Sequence, residues 1–232
     1  MTPEALLTGR TAPLRLVIFD CDGVIVDSEA IANRVAAEMI SDLGWKMTGE
    51  QAQDNFLGMT LNAMVPIISA RIGRPVPRDW LDNLVNTIAD AMATQAIALP
   101  GAIEALDGVA ALGLPWRIAS NSSHQEMQVK FARIGISARV AGRVHSFTDV
   151  SHGKPAPDLF LSAAAAEGVD PKNCVVIEDS TTGARAAAAA GMDCLGYLAH
   201  GDGTALRATG AVPFRSMFEL PSLIRLAPRA FE

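Results

Sequence analysis

Short apolar runs bounded by polar or turn residues are typical of strands that are buried on both faces of a parallel sheet. Four such runs occur in the chain, at residues 16–19, 114–119, 174–177 and 193–198. Longer stretches with apolar residues at helical spacing lie between them. These predicted helices cover residues 28–43, 102–112, 124–134, 158–168 and 182–190. The alternation predicts an α/β fold, a doubly wound parallel sheet with helices on both faces.

Residues 45–98 have a different pattern, without an apolar run of the strand type. Apolar residues recur there at helical spacing over Leu61–Ile72 and 80–96, with a turn rich in Gly and Pro between the two stretches. Together with the preceding helix they form a helical block of about 70 residues, which is small for an independent core. We therefore interpret this block as an insertion into the main domain.

The domain organisation follows from these two patterns. A core domain is predicted at residues 1–31 and 100–232, and the all-helical insertion at residues 32–99. The segment before the first strand, residues 1–13, lacks a continuous apolar stretch and makes a poor secretion signal. We expect it to be a frayed leader.

Polar side chains follow three of the four apolar runs where each run ends. These residues are Asp20 and Asp22, then Ser120 and Asn121, then Glu178 and Asp179. Since the carboxyl ends of parallel strands share one edge of a sheet, the three groups are expected to converge. Each group also has a simpler interpretation, because Asp, Gly and Ser are common in turns and at helix N-termini. Lys154, which precedes Pro155, also has a simpler interpretation, namely a solvated lysine in a loop.

Composition and charge narrow the classes of function. The 232-residue chain is 50% hydrophobic, and its formal net charge of -6 argues against a nucleic-acid surface, which needs clustered positive charge. No apolar run approaches the roughly eighteen residues of a membrane span. Three cysteines without Cys-x-x-Cys spacing (Cys21, Cys174, Cys194) predict reduced thiols in a cytoplasmic protein. The expected partner is a small molecule, and the oligomeric state stays open.

The ordered set of polar segments resembles the signature motifs of the haloacid dehalogenase superfamily of phosphotransferases. The matching residues are Asp20-Cys21-Asp22-Gly23-Val24, Ser120-Asn121, Lys154 with Pro155 and Pro157, and Glu178-Asp179-Ser180. The helical insertion resembles the small cap domain of the β-phosphoglucomutase-like subfamily. The resemblance runs from residue 14 to about residue 224 and implies a Rossmann-like core with a helical cap.

The resemblance implies a role for each motif. Asp20 is expected to be the nucleophile that forms an aspartyl-phosphate, and Asp22 the general acid and base. Like charges about 4 Å apart cost on the order of 4 kcal/mol at an effective dielectric constant of about 20, so a phosphate dianion repels the attacking carboxylate. Mg²⁺ is therefore expected at the site. The expected Mg²⁺ ligands are Asp20, the backbone carbonyl of Asp22, Glu178 and Asp179, and the expected phosphate-binding residues are Ser120, Asn121 and Lys154.

The chemistry predicted is hydrolysis of a small phosphorylated metabolite, a sugar or sugar-acid phosphate, with mutase chemistry as the alternative. A carboxyl at Asp22 argues against dehalogenation and phosphonate hydrolysis, whose enzymes lack it. The mutase that the chain resembles carries a cap His and a cap Arg where this chain has Ala32 and Leu61. A binding module without catalysis is a third possibility. The expected substrate-specificity residues, in the loop between two cap helices, are Gly58, Met59 and Thr60.

Overall fold

A computed structural model describes residues 1–56, 59 and 61–228. The chain divides into two compact units, one formed by Met1–Val26 and Ala98–Glu232 and the other by Asp27–Ile97. We call these the core unit and the helical unit.

The core unit is built on a six-stranded sheet. Its strands are β1 (Leu16–Phe19), β2 (Trp116–Ser120), β3 (Val144–Ser146), β4 (Cys174–Glu178), β5 (Asp193–Tyr197) and β6 (Val212–Phe214). They lie in the order β3-β2-β1-β4-β5-β6, and every adjacent pair is parallel. The predicted doubly wound α/β fold is confirmed. The strand order reverses beside β1, which is where open α/β sheets form a crevice for ligands.

Helices connect the strands, and the regular elements described in the helical unit are all helices. They are α1 (Pro3–Thr8), α2 (Ser28–Asp42), α3 (Gly49–Phe56), α4 (Leu61–Ile72), α5 (Trp80–Gln95), α6 (Ala102–Ala111), α7 (His124–Arg133), α8 (Ser137–Val140), α9 (Asp158–Ala166), α10 (Thr181–Ala189), α11 (Thr204–Arg207) and α12 (Leu220–Ile224). Short 3₁₀ helices cover Phe147–Asp149, Pro171–Asn173 and Met217–Glu219. Within the described part of the chain, none of these helices has the length and apolarity that crossing a bilayer requires.

The core lies against the central strands. All four residues of β1 are fully buried, as expected for a strand flanked on both sides and covered by helices. Helix α9 packs against β1, β2 and β3, and α10 packs against β4 and β5. Residue Phe19 of β1 also meets Trp116 edge to face, with ring centroids 6.5 Å apart. These contacts hold the carboxyl end of β1 in a fixed place.

The prediction of a frayed leader at residues 1–13 is wrong. Thr2 and Pro3 start helix α1, and Leu7 on that helix is fully buried. Arg10 forms an ion pair with Asp193 and donates to the carbonyl of residue 172 at 2.7 Å. The segment is therefore docked on the core unit. One buried leucine in a six-residue helix is too little to produce a periodic pattern.

The helical unit contains a helix that apolar spacing did not predict. Helix α3 buries only Ala52 and Phe56. Its start carries a reciprocal capping pair, in which Gln51 N–H donates to Thr48 Oγ1 at 3.2 Å and Thr48 N–H donates to Gln51 Oε1 at 2.9 Å. Phe56 then meets Trp45 at 5.9 Å between ring centroids, which anchors α3 to the rest of the unit.

Candidate active site

The polar residues that follow the central strands meet at one edge of the sheet. Asp20 follows β1, Ser120 is the last residue of β2, and Glu178 is the last residue of β4. Because these strands are parallel neighbours, their carboxyl ends lie side by side where the strand order reverses. The sheet topology thus gathers residues that are far apart in the sequence.

Lys154 joins the ends of β1 and β4. It lies in the loop before α9, and its Nζ donates to Asp20 Oδ1 at 2.6 Å and to Glu178 Oε1 at 2.7 Å. Its side chain is only 4% exposed, and Nζ stands 4.7 Å from the centre of the Phe160 ring. Burial disfavours the charged amine, but the two carboxylates outweigh burial and raise the pKa of Lys154 above its ordinary value. The lysine therefore remains charged beside Asp20.

Three carboxylates cluster around this lysine. Asp20, Glu178 and Asp179 have oxygen atoms that all lie within 4.8 Å of one another. Burial raises the pKa of Asp20 to about 7, with added repulsion from Glu178 and against the attraction of Lys154. Burial, together with the charges of Asp20 and Glu178, raises the pKa of Asp179 well above its ordinary value. Lys154 balances one of these three negative charges, so a hard divalent cation such as Mg²⁺ fits the donor set.

Glu178 is fixed by donors on both of its carboxylate oxygens. Its Oε2 accepts from the backbone N–H of Asp179 at 3.0 Å and of Ser180 at 2.9 Å, and from the Ser180 hydroxyl at 2.9 Å. A Cβ atom on Gly183 would stand 1.6 Å from Glu178 Oε1. Position 183 therefore requires glycine because the buried carboxylate passes directly over the backbone of α10.

The loop after β1 turns tightly against Asp179. The carbonyl of Cys21 accepts from the N–H groups of Ile25 at 2.8 Å and Val26 at 2.9 Å. Gly23 has φ +75°, and a Cβ there would stand 1.9 Å from Asp179 Oδ2. Both the left-handed backbone and the close approach require glycine at this position. The turn brings the β1 loop next to the acidic cluster.

Asn121 acts through its side chain on the Lys154 loop. Its Oδ1 accepts from the Lys154 N–H at 2.8 Å, and its Nδ2 donates to the Lys154 carbonyl at 3.0 Å. The Lys154–Pro155 peptide bond is cis. Ser120 is buried, and its hydroxyl oxygen accepts from the N–H of Ser122 at 3.1 Å. The side chain of Asn121 thus holds the backbone from which Lys154 reaches the cluster.

The helix-capping interpretation applies to neighbouring serines. Ser123 and Glu126 form a capping box at the start of α7, and the Ser180 hydroxyl accepts from the Gly183 N–H at the start of α10. Ser120, in contrast, is the last residue of a strand and caps neither helix.

Asp22 lies beside the cluster and has a partner that the sequence analysis missed. Lys130 Nζ donates to Asp22 Oδ1 at 2.8 Å and to Oδ2 at 2.9 Å, and the Ser122 hydroxyl donates to Oδ2 at 2.8 Å. Lys130 lies on the buried face of α7 with Met127 and Phe131. The signal in the sequence that could have revealed this partner is a lysine at a core-facing position of a helix.

The expected specificity residues belong to the helical unit. Gly58 and Thr60 lie outside the described residues, and Met59 is 45% exposed. Met59 lines a cavity of about 160 Å³ inside this unit, together with Ala32 and Leu61. Among the described residues around this cavity there is no lysine or arginine side chain.

Comparison with known proteins identifies the family of the chain. Residues 14–191 match the family model described as haloacid dehalogenase-like hydrolase. The chain is 26% identical to 6-phosphogluconate phosphatase from Escherichia coli over 90% of its own length and 94% of the relative's. It is 30% identical to hexitol phosphatase A from the same species, over 80% of this chain and 83% of that protein.

A solved structure of a HAD family hydrolase from Deinococcus radiodurans, with bound phosphate and sodium, has a similar fold. Its TM-score is 0.81 and its sequence identity 31%, with 94% of this chain and 100% of that chain covered. The family model, the named phosphatases and the fold together make the protein a phosphoric monoester hydrolase. The chain belongs to the haloacid dehalogenase-like hydrolase family.

Proposed function

We propose that the protein is a Mg²⁺-dependent phosphatase that hydrolyses a small phosphorylated metabolite through an aspartyl-phosphate on Asp20. The observation that carries this proposal is the buried carboxylate of Asp20, paired with Lys154 and followed at the next turn by a second carboxylate, Asp22. The substrate class is a sugar or sugar-acid phosphate. The names of two relatives, 6-phosphogluconate phosphatase and hexitol phosphatase A, support that class.

The proposed reaction has two displacements at phosphorus. A carboxylate oxygen of Asp20 attacks phosphorus, the bond to the substrate oxygen breaks, and Asp22 donates a proton to that oxygen as the alcohol leaves. In the second step water attacks the phosphorus of the aspartyl-phosphate, the bond between phosphorus and the Asp20 oxygen breaks, and Asp22 accepts the proton of the water. Inorganic phosphate leaves, and both carboxyl groups return to their starting state.

Charge neutralisation is the main electrostatic requirement of these steps. Lys154 provides a fixed positive charge 2.6 Å from Asp20 Oδ1, where the attacking oxygen meets the phosphoryl group. Ser120 and the backbone amide of Asn121, at the end of β2, are proposed to bind phosphoryl oxygens. Asp20, Glu178, Asp179 and the backbone carbonyl of Asp22 would hold Mg²⁺. When bound, the ion would neutralise charge on the phosphoryl oxygens.

The helical unit, Asp27–Ile97, is proposed to be the cap domain that the sequence analysis placed at residues 32–99. We propose that it sets substrate specificity through Gly58, Met59 and Thr60. A mutase must hold a second phosphate while it transfers the first, which calls for cationic cap residues. Ala32 and Leu61 are apolar at the positions where the mutase that the chain resembles carries His and Arg. This difference favours hydrolysis over isomerisation.

A screen of phosphorylated metabolites with Mg²⁺ tests the proposal. Phosphate release should require Mg²⁺, stop in EDTA and disappear in the Asp20→Asn variant. The matched control is Asp107→Asn, which neutralises an exposed aspartate on α6 whose partner, Arg139, is also exposed. Full activity of Asp20→Asn would overturn the assignment. Isomerisation of a hexose 1-phosphate faster than phosphate release would identify a mutase, and absence of any turnover would favour a binding module.

A further inference from the structure

Lys130 occupies a position that a helix normally fills with an apolar residue. On α7 the buried residues are Met127, Lys130 and Phe131, which share the face toward the interior at i, i+3 and i+4 spacing. Lys130 is only 7% exposed. Lysine is almost never buried at this level unless a partner satisfies its charge. The side chain must therefore be explained by what it contacts.

Lys130 and Ser122 hold the carboxylate of Asp22 from two directions. Lys130 Nζ donates to both carboxylate oxygens, at 2.8 and 2.9 Å, and also to the Ser122 hydroxyl at 3.1 Å. The Ser122 hydroxyl in turn donates to Asp22 Oδ2 at 2.8 Å. The Asp22 side chain is still 31% exposed, so one side of the carboxylate stays accessible. The three groups form a closed set of hydrogen bonds that defines the orientation of Asp22.

This set is separate from the contacts of the other lysine in the site. Lys154 serves Asp20 and Glu178, whereas Lys130 serves Asp22. A contact to both oxygens of a carboxylate restricts rotation about the side-chain bonds much more than a single donor does. Proton transfer to a leaving group is efficient only from a donor held in the right geometry.

We propose that Lys130 is a positioning residue that orients Asp22 for proton transfer to the leaving-group oxygen. The proposal rests on the proposed function, because it takes Asp22 as the general acid. Ser122 helps to orient Asp22 through its own hydrogen bond to the carboxylate. Lys130 touches neither the substrate nor the reacting atoms in this scheme and acts only through Asp22.

The test compares substrates of nearly equal size whose leaving groups differ in their need for a proton. Substituted phenyl phosphates, from phenyl phosphate to p-nitrophenyl phosphate, serve as the series, and kcat/KM reports the step in which the leaving group departs. Nitrophenolate leaves without protonation, whereas phenolate benefits from it. In Lys130→Met, kcat/KM is expected to fall about tenfold or more for phenyl phosphate but less than about threefold for p-nitrophenyl phosphate. The dependence of log kcat/KM on leaving-group pKa therefore becomes steeper.

Three further variants control the result. Lys130→Arg keeps a charged donor and should restore part of the wild-type slope. Ser122→Ala removes one donor without leaving a buried charge unpaired and should steepen the slope by a smaller amount. If Lys130→Met fails to fold, the slope measured for Ser122→Ala tests the proposal. Lys172→Met, at an exposed lysine of the core unit, should leave the slope unchanged.

The outcomes separate this inference from the proposed function. An equal loss of kcat/KM for every phenyl phosphate, an unchanged slope or a shallower slope would each overturn the positioning role of Lys130. A wild-type protein that releases phosphate in the presence of Mg²⁺ neither from the series nor from any metabolite of the screen would instead refute the proposed function.

Discussion

Replacing the proposed nucleophile Asp20 by asparagine is expected to abolish turnover and, at the same time, to stabilise the metal-free protein. The ionised carboxylate is buried and repelled by Glu178 and Asp22, and together these effects outweigh the attraction of Lys154. As a result the pKa of Asp20 is about 7 in the folded protein, against an ordinary value of 3.8. Ionised Asp20 therefore favours the unfolded chain.

The size and the pH window of the effect follow from this pKa. Because the folded pKa is raised, the folded protein binds more protons than the unfolded chain between about pH 4 and pH 7. The stability of the folded state consequently falls as the pH rises through this window. The difference between 3.8 and about 7 corresponds to about 4 kcal/mol at about 1.36 kcal/mol per pH unit. Asparagine carries no charge and can still accept from Lys154, so we expect a gain on the order of 2 to 4 kcal/mol at pH 8 and little at pH 4.

Urea unfolding in EDTA at several pH values measures the gain. The chain has three tryptophans, of which Trp116 lies in the core unit and is buried, while Trp45 and Trp80 lie in the helical unit. A background with Trp45→Phe and Trp80→Phe restricts the fluorescence signal to the core unit. Adding Mg²⁺ should reduce the difference in unfolding free energy between Asp20→Asn and its parent. The ion binds more tightly to the parent, whose cluster has all three carboxylates, and so stabilises the parent more.

A variant that is less stable than its parent at pH 8 in EDTA would refute the reasoning, because ionised Asp20 would then be a favourable part of the fold. The same variant should lose at least about a thousandfold in the rate of phosphate release. Asp107→Asn, the exposed control, should change neither the pH dependence of stability nor the activity.

Other changes in the site have distinct expected effects. Lys154→Met removes one member of two buried ion pairs and should cost about 3 to 5 kcal/mol in urea unfolding, together with nearly all phosphate release; a stable, active variant would contradict its role. Gly183→Ala should displace the Glu178 carboxylate and lower Mg²⁺ affinity about tenfold by calorimetry, and unchanged affinity would argue against Glu178 as a metal ligand. Asn121→Ala removes two hydrogen bonds from the backbone of Lys154. It should lower kcat/KM about tenfold, and wild-type kinetics would show that these two hydrogen bonds are dispensable.

The central fold could be predicted because its strands are buried on both faces. β1, β2 and β4 each consist of four or five residues, mostly apolar, and such runs stand out from the helical periodicity around them. β3 and β6 have three residues each and lie at the two edges of the sheet. A run of three residues is too short to distinguish a strand from a loop, and β6 contains Pro213, which is tolerated at an edge. The sequence pattern therefore identified the middle of the sheet and missed its edges.

The short helices α1, α3, α8, α11 and α12 were also missed, and α1 and α3 show the reason. α1 and α3 each bury one or two side chains, so they have no apolar stripe to detect. Their starts are defined by chemistry instead: Pro3 at the first turn of α1, and the pair of Thr48 and Gln51 at the start of α3. Short helices of this kind are better predicted from their N-terminal residues than from periodicity.

The convergence of the candidate site residues was predictable, but the hydrogen bonds among them were not. Asp20, Ser120 and Glu178 are strand-end residues, and parallel topology alone brings such residues together. The sequence could not show that the side chain of Asn121 would be used to hold the backbone of Lys154, because amide groups bond equally well to phosphate or to peptide groups. That choice depends on the distance between two loops, which only the folded chain defines.

The buried lysine on α7 shows how a conflict between two local patterns can reveal a site. The helical phase of Met127 and Phe131 places Lys130 toward the interior, while its charge favours the surface. Such a conflict is resolved only if the interior supplies an anion. β2, which leads into α7, ends at the edge where the two carboxylates that follow β1 also lie, so a carboxylate is within reach. Asp20 is already paired with Lys154, which leaves Asp22 for Lys130. A charged residue in the apolar phase of a helix next to an acidic strand end is thus a physical argument for a specific ion pair.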